Sequence, residues 1–83
     1  MSSAEKLLAR MRASQADWGR DDLKRLYLGF GFVLREGGNH MYFKHPKYPW
    51  ILATVARHDP LGKGYVRDAL KNIDKLKQME GAI

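Results

Sequence analysis

Cysteine is absent from this chain of 83 residues. That excludes disulfide frameworks, cysteine-ligated zinc, iron–sulfur clusters and thiol nucleophiles. No apolar run comes near the roughly 20 residues a membrane-spanning helix needs. The opening Met1-Ser2-Ser3-Ala4-Glu5-Lys6 lacks the basic-then-apolar plan of a signal peptide. Acidic side chains are scarce: 9 Asp and Glu face 15 Lys and Arg, a net charge of +6. No phosphate-cradling G-x-x-x-x-G-K-[ST], no G-x-G-x-x-G opening a helix after a strand and no H-E-x-x-H is present. What remains is a single small domain of the cytoplasm, with 45% hydrophobic residues to build a core. Its basic bias suggests a polyanionic partner, most often nucleic acid.

Periodicity divides the chain into six elements. Ala4, Leu7, Leu8 and Met11 recur at helical spacing over 2–13, and Ser2 with Glu5 fits a capping box. A second helix is expected over 20–28, with Leu23, Leu26, Tyr27 and Phe30 on one face and Gly29 and Gly31 ending it. Residues 32–36 are rich in β-formers, and Gly37-Gly38 suits a tight hairpin turn with positive φ. Residues 39–44 read as the return strand. Two prolines make 45–49 a loop, and 50–55 reads as a third strand. The last helix is expected over 64–79, with Val66, Ala69, Leu70, Ile73 and Leu76 as its apolar stripe. Short loops make the strands an antiparallel meander, which needs helices on one face and can leave the other open. The expected class is α+β: the α-β-β-β-α plan of double-stranded-RNA-binding domains, with an extra N-terminal helix.

On the second strand, Met41 and Phe43 point one way and His40, Tyr42 and Lys44 the other. The apolar pair belongs against the helices, which leaves His40 on the open face beside an aromatic and a lysine. Imidazole exchanges protons near neutral pH. Lysine stabilises charge on a phosphoryl oxygen, and tyrosine stacks on bases. Gly37 and Gly38 let a nucleic-acid backbone approach closely. Together these parts suit metal-free RNA cleavage, in which the RNA supplies its own 2′-hydroxyl nucleophile. The competing reading is that His40 is an ordinary exposed strand histidine on a non-catalytic RNA-binding module. Lys63, Arg67, Lys71 and Lys75 recur every four residues along the last helix, as a phosphate-tracking stripe or as an ordinary solvated face. His45 and His58 fall in loops; a His-His-carboxylate metal site with Asp59 is conceivable, but no H-E-x-x-H or similar spacing supports it. His58 is the better placed for a supporting role. Trp18 and Trp50 are expected in the core or an interface rather than as a base-stacking pair.

The same residues resemble a known family, the HicA-type toxins of toxin–antitoxin pairs. Gly37-Gly38-Asn39-His40 resembles the family's Gly-Ser-His or Gly-Ser-Asn-His signature at the start of the second strand. Thr54-Val55-Ala56-Arg57-His58 resembles its Thr-Val-Pro-x-His segment, and Lys63-Gly64-Tyr65-Val66-Arg67 resembles the start of its last helix. Leu7-Leu8-Ala9-Arg10-Met11-Arg12 and Asp17-Trp18 look like an N-terminal extension seen in one branch. The resemblance implies one domain over 1–83, with an extension over 2–13 and a core over 20–79. It implies a cofactor-free endoribonuclease acting on mRNA, with His40 as its catalytic histidine. RNA contacts would fall on Gly37, Gly38, Asn39, Tyr42, Lys44, His58, Lys63, Arg67 and Lys71. It also implies a HicB-type antitoxin that covers the active site. Gly38 stands where the family often has serine, and Ala56 where it often has proline.

Overall fold

The computed structural model describes residues 3–57 and 60–81. Helix α1 (Ser3–Ala13) forms along the expected stripe: Ala4, Leu8 and Met11 are buried, with Glu5 in its first turn and Arg10 and Arg12 in its last. The capping role expected of Ser2 lies outside the described residues. Helix α2 (Arg20–Gly29) starts at Gly19, whose N–H donates to Asp22 Oδ2 at 2.9 Å. Glycine has no side chain to return the bond, so only half of a capping box forms.

Helix α2 ends differently from the expectation. Gly29 lies inside the helix, and only Gly31 takes a left-handed φ, of 88°. Gly31 N–H bonds to Leu28 O and Phe32 N–H bonds to Tyr27 O, each at 3.1 Å. That paired closure requires a residue tolerant of positive φ at the turn. Gly29 is there for room instead. A Cβ at that position would stand 2.5 Å from Ala4 Cβ, because α1 crosses α2 directly above it.

Strands β1 (Val33–Glu36), β2 (His40–Lys44) and β3 (Leu52–Ala56) form one antiparallel sheet in the order β1-β2-β3. The β1–β2 hairpin closes with Gly37 N–H on His40 O at 3.1 Å, leaving Gly38-Asn39 as its loop. Neither hairpin glycine has positive φ, contrary to expectation. Gly37 is needed for a different reason: a Cβ there would sit 2.7 Å from Tyr42 Cε2, so the tyrosine ring lies over the bare backbone.

The third strand begins two residues later than its β-formers suggest. Ile51 N–H bonds to Tyr48 O at 2.8 Å and His45 N–H to Ile51 O at 3.1 Å, which closes a turn before the strand starts. Trp50 is thrown outward by this turn and is 62% exposed, not a core residue. Tyr48 takes the buried place, and Trp18 stays partly buried against the core.

Helix α3 (Lys63–Met79) buries Val66, Ala69, Ile73 and Leu76. Tyr27 is the centre of the core. Its ring stacks on Phe43 at 4.6 Å and meets the Phe32 edge at 4.9 Å. Asn72 Nδ2 donates to its hydroxyl at 3.1 Å. Burial pushes the Tyr27 phenol up to about 12, with the Asn72 bond opposing the shift. Two ion pairs tie α1 to α3, Arg12–Asp74 at 2.6 Å and Lys77–Glu5 at 3.1 Å. The architecture is α+β: three helices and an open three-stranded sheet in the α-β-β-β-α order of double-stranded-RNA-binding domains, preceded by α1.

Candidate active site

Strand β2 sorts its side chains by the two-residue period. Met41 and Phe43 are buried, while Tyr42 and Lys44 are exposed and His40 is half-buried. Register then builds the rest of the open face. Arg35 and Thr54 flank Tyr42 on β1 and β3, and Val33 and Leu52 flank Lys44. The result is a concavity of about 710 Å³ with an apolar floor and two cations, Arg35 and Lys44. The only carboxylate in the three strands is Glu36, and it pairs with Arg57 at 3.4 Å. The face is therefore positive.

His40 stands at the hairpin end of this face, next to the exposed loop glycine Gly38 and Asn39. Its ring lies 6.4 Å from that of Tyr42, tilted by 40°. Its backbone is fixed by the Gly37 bond on one side and by pairing with Ala56 on the other. Arg57, the next residue, braces this end of the sheet. Its N–H bonds to Asn39 O at 3.1 Å and its carbonyl accepts from Arg20 Nη1 at 3.1 Å. Its Nε is buried and has no hydrogen-bond partner among the described residues. The arrangement presents an imidazole on a hydrogen-bonded hairpin, an aromatic ring beside it and cations along the strand.

The structure thus gathers His40, Tyr42 and Lys44 on one face, with Gly37, Gly38 and Asn39 at its mouth. The helix cations sit elsewhere. Lys63, Arg67, Lys71 and Lys75 are all exposed on α3, which packs its apolar stripe against the core. Only Lys71 and Lys75 reach a groove beside β3. His58 lies outside the described residues, as does Asp59. His45 has a structural place: it is buried, its Nδ1 accepts the Lys47 N–H at 3.2 Å, and its ring packs on Tyr48 and Phe32. Among the described residues, no group of three His, Asp or Glu is placed to hold a metal ion.

Sequence reasoning passed over Arg35 and Thr54. Both could have been found by counting back from the Gly38-Asn39 loop, since register alone sets them against Tyr42. The Glu36–Arg57 brace had no sequence signal, because it joins β1 to the end of β3.

A family model described as the HicA toxin of bacterial toxin–antitoxin matches residues 20–75. The chain belongs to the HicA toxin family. No curated protein and no solved structure matches it. The HicA match runs from the start of α2 nearly to the end of α3 and leaves out α1. It holds the whole sheet and the His40 hairpin. As a HicA toxin, the chain has a counterpart in an antitoxin. No helix among its described residues is long and apolar enough to cross a membrane.

Proposed function

We propose that this HicA-family chain is a metal-independent endoribonuclease that cuts mRNA, with His40 as its general acid–base group. The observation that carries the reading is the open face itself: an imidazole on a braced hairpin beside an exposed tyrosine, with two cations, Arg35 and Lys44, further along the face that form no ion pair among the described residues. RNA lies across the sheet with a base on Tyr42 and phosphates near Arg35 and Lys44. His40 takes the proton of a 2′-hydroxyl as that oxygen attacks the adjacent phosphorus. The O2′–P bond forms, the P–O5′ bond breaks, and the departing 5′ oxygen takes up a proton from water, while the proton taken by His40 returns to solvent. The products are a 2′,3′-cyclic phosphate and a 5′-hydroxyl. A HicB-type antitoxin silences the toxin by covering the same face, since a positive surface attracts an acidic protein for the reason it attracts RNA.

The deciding experiment is RNA cleavage by purified protein in EDTA, wild type beside His40→Ala, with product ends mapped. A positioned acid–base group contributes about 10²–10⁴-fold, so the variant loses most scission while still binding RNA. Cleavage unchanged in the variant removes His40 from the reaction. Salt-sensitive binding without scission by either protein makes the chain an RNA-binding module on the same fold.

A further inference from the structure

The sheet has two edge strands, and they are guarded differently. Asn39 bonds to Arg57 and His45 bonds to Ile51 across the β2–β3 ladder. In an antiparallel pair this alternation sends the N–H and C=O of Ala53 and Val55 inward. Those of Leu52 and Thr54 therefore point outward, away from β2. Both residues are exposed, and no hydrogen bond among the described residues uses these outward groups. Natural edges are usually blunted by charge, proline or a bulge. Strand β1 carries Arg35 and Glu36. Strand β3, Leu52-Ala53-Thr54-Val55-Ala56, has no charge, no proline and an unbroken register. A groove of about 360 Å³ runs along this edge, between Leu52 and Thr54 on the strand and Tyr65, Asp68, Lys71 and Lys75 on α3. Lys71 and Lys75 form no ion pair among the described residues.

We propose that the outer edge of β3 is a docking site for an extended acidic segment of a partner protein, which joins the sheet as a fourth strand. The proposal does not depend on the chemistry assigned to His40. Backbone groups of Leu52 and Thr54 supply the ladder, as in other cases of strand addition. The period of two sets the sequence of the guest. Side chains on the α3 side meet Lys71 and Lys75, two cations against the one carboxylate of Asp68, and are carboxylates. Side chains on the open side lie beside Leu52 and Thr54 and are β-branched or apolar. A second copy of this chain is a poor occupant. Each copy carries a net charge of +6, and two-fold pairing of β3 would bring both sets of Lys71 and Lys75 to one seam. RNA is also a poor occupant, because alternating outward N–H and C=O groups are matched by a peptide backbone and not by a row of phosphate acceptors.

The test follows backbone amide exchange by NMR on the full chain, with two short capped peptides as probes. One alternates valine with glutamate and the other alternates valine with lysine. The glutamate peptide is expected to slow exchange at Leu52 and Thr54 by about tenfold or more, with Ala53 and Val55 slow throughout. The lysine peptide leaves Leu52 and Thr54 unprotected. Thr54→Pro removes an outward N–H without touching the β2 ladder, and Leu52→Lys places a guard charge on the edge. Both variants keep the wild-type spectrum elsewhere and lose the peptide effect. No protection at millimolar glutamate peptide overturns the proposal. So does equal protection by both peptides. Protection without peptide in a sedimenting dimer would assign the edge to a second copy, and protection by single-stranded RNA alone would assign it to nucleic acid.

Discussion

Gly29→Ala is a substitution whose sign depends on a single methyl group on another helix. Alanine is favoured over glycine in a helix by about 1 kcal/mol, and Gly29 has no positive φ to protect. On α2 alone the change would stabilise. The new Cβ, however, stands 2.5 Å from Ala4 Cβ, where about 4 Å is an ordinary methyl contact. Helix α1 must retreat by more than an ångström. It is held by buried Leu8 and Met11 and by its ion pairs to α3, so it cannot do so freely. Overpacking of this kind costs about 1–3 kcal/mol, so the net change is a loss of about 1 kcal/mol. In an Ala4→Gly background the obstructing methyl is gone, and the nearest remaining atom, Cα of residue 4, is at 3.6 Å. There the same substitution should stabilise by about 1 kcal/mol, a coupling of about 2 kcal/mol. Urea unfolding of the four proteins measures it, with an unchanged m-value as the check on two-state behaviour. The thermal midpoint should fall by roughly 4–8 °C in one background and rise by a similar amount in the other. Stabilisation in both backgrounds, or equal effects in both, would refute the close-approach argument.

Three further outcomes are expected. Met11 is fully buried, so Met11→Ala should cost about 2–5 kcal/mol, enough to leave so small a domain largely unfolded near body temperature; circular dichroism reads this directly. Tyr27 has its phenol raised to about 12 from the usual 10, so the folded state holds that proton more tightly. The stabilisation is fully present below pH ~10 and is lost as pH rises toward 12, an effect of order 3 kcal/mol that Tyr27→Phe should remove from an alkaline unfolding series. Gly37→Ala forces the Tyr42 ring aside but leaves β2 intact, so stability should change by less than about 1 kcal/mol. If Tyr42 stacks on a base, RNA affinity should drop about tenfold, as filter binding at fixed salt would show.

Much of the fold was legible because it rests on period. The Ala4-Leu8-Met11 stripe and the Val66-Ala69-Ile73-Leu76 stripe were visible at helical spacing, and alternation on β2 sorted His40, Tyr42 and Lys44 from Met41 and Phe43. What escaped was set by contacts between distant residues. Gly29 looked like a helix terminator, and only the crossing of α1 shows it to be a space-maker. Gly37 looked like a turn residue needing positive φ, and only the Tyr42 ring explains it. Trp50 was expected on the third strand, in the core or an interface, and the Tyr48–Ile51 turn puts it outside the strand and exposed. The α3 cations share one helix with the core stripe, and a sequence period cannot say which neighbour a solvated face will meet.

The pairing of α1 with α3 also sets an order in time. Arg12 meets Asp74 and Glu5 meets Lys77, contacts 62 and 72 positions apart along the chain. Helix α1 must wait for α3 before its buried side can be covered. A nascent chain that already carries the sheet and the His40 hairpin still lacks the closing layer that holds α2 in place. The domain therefore closes only once α3 has been made, and a truncated chain ending before Asp74 leaves Leu8 and Met11 without their full cover.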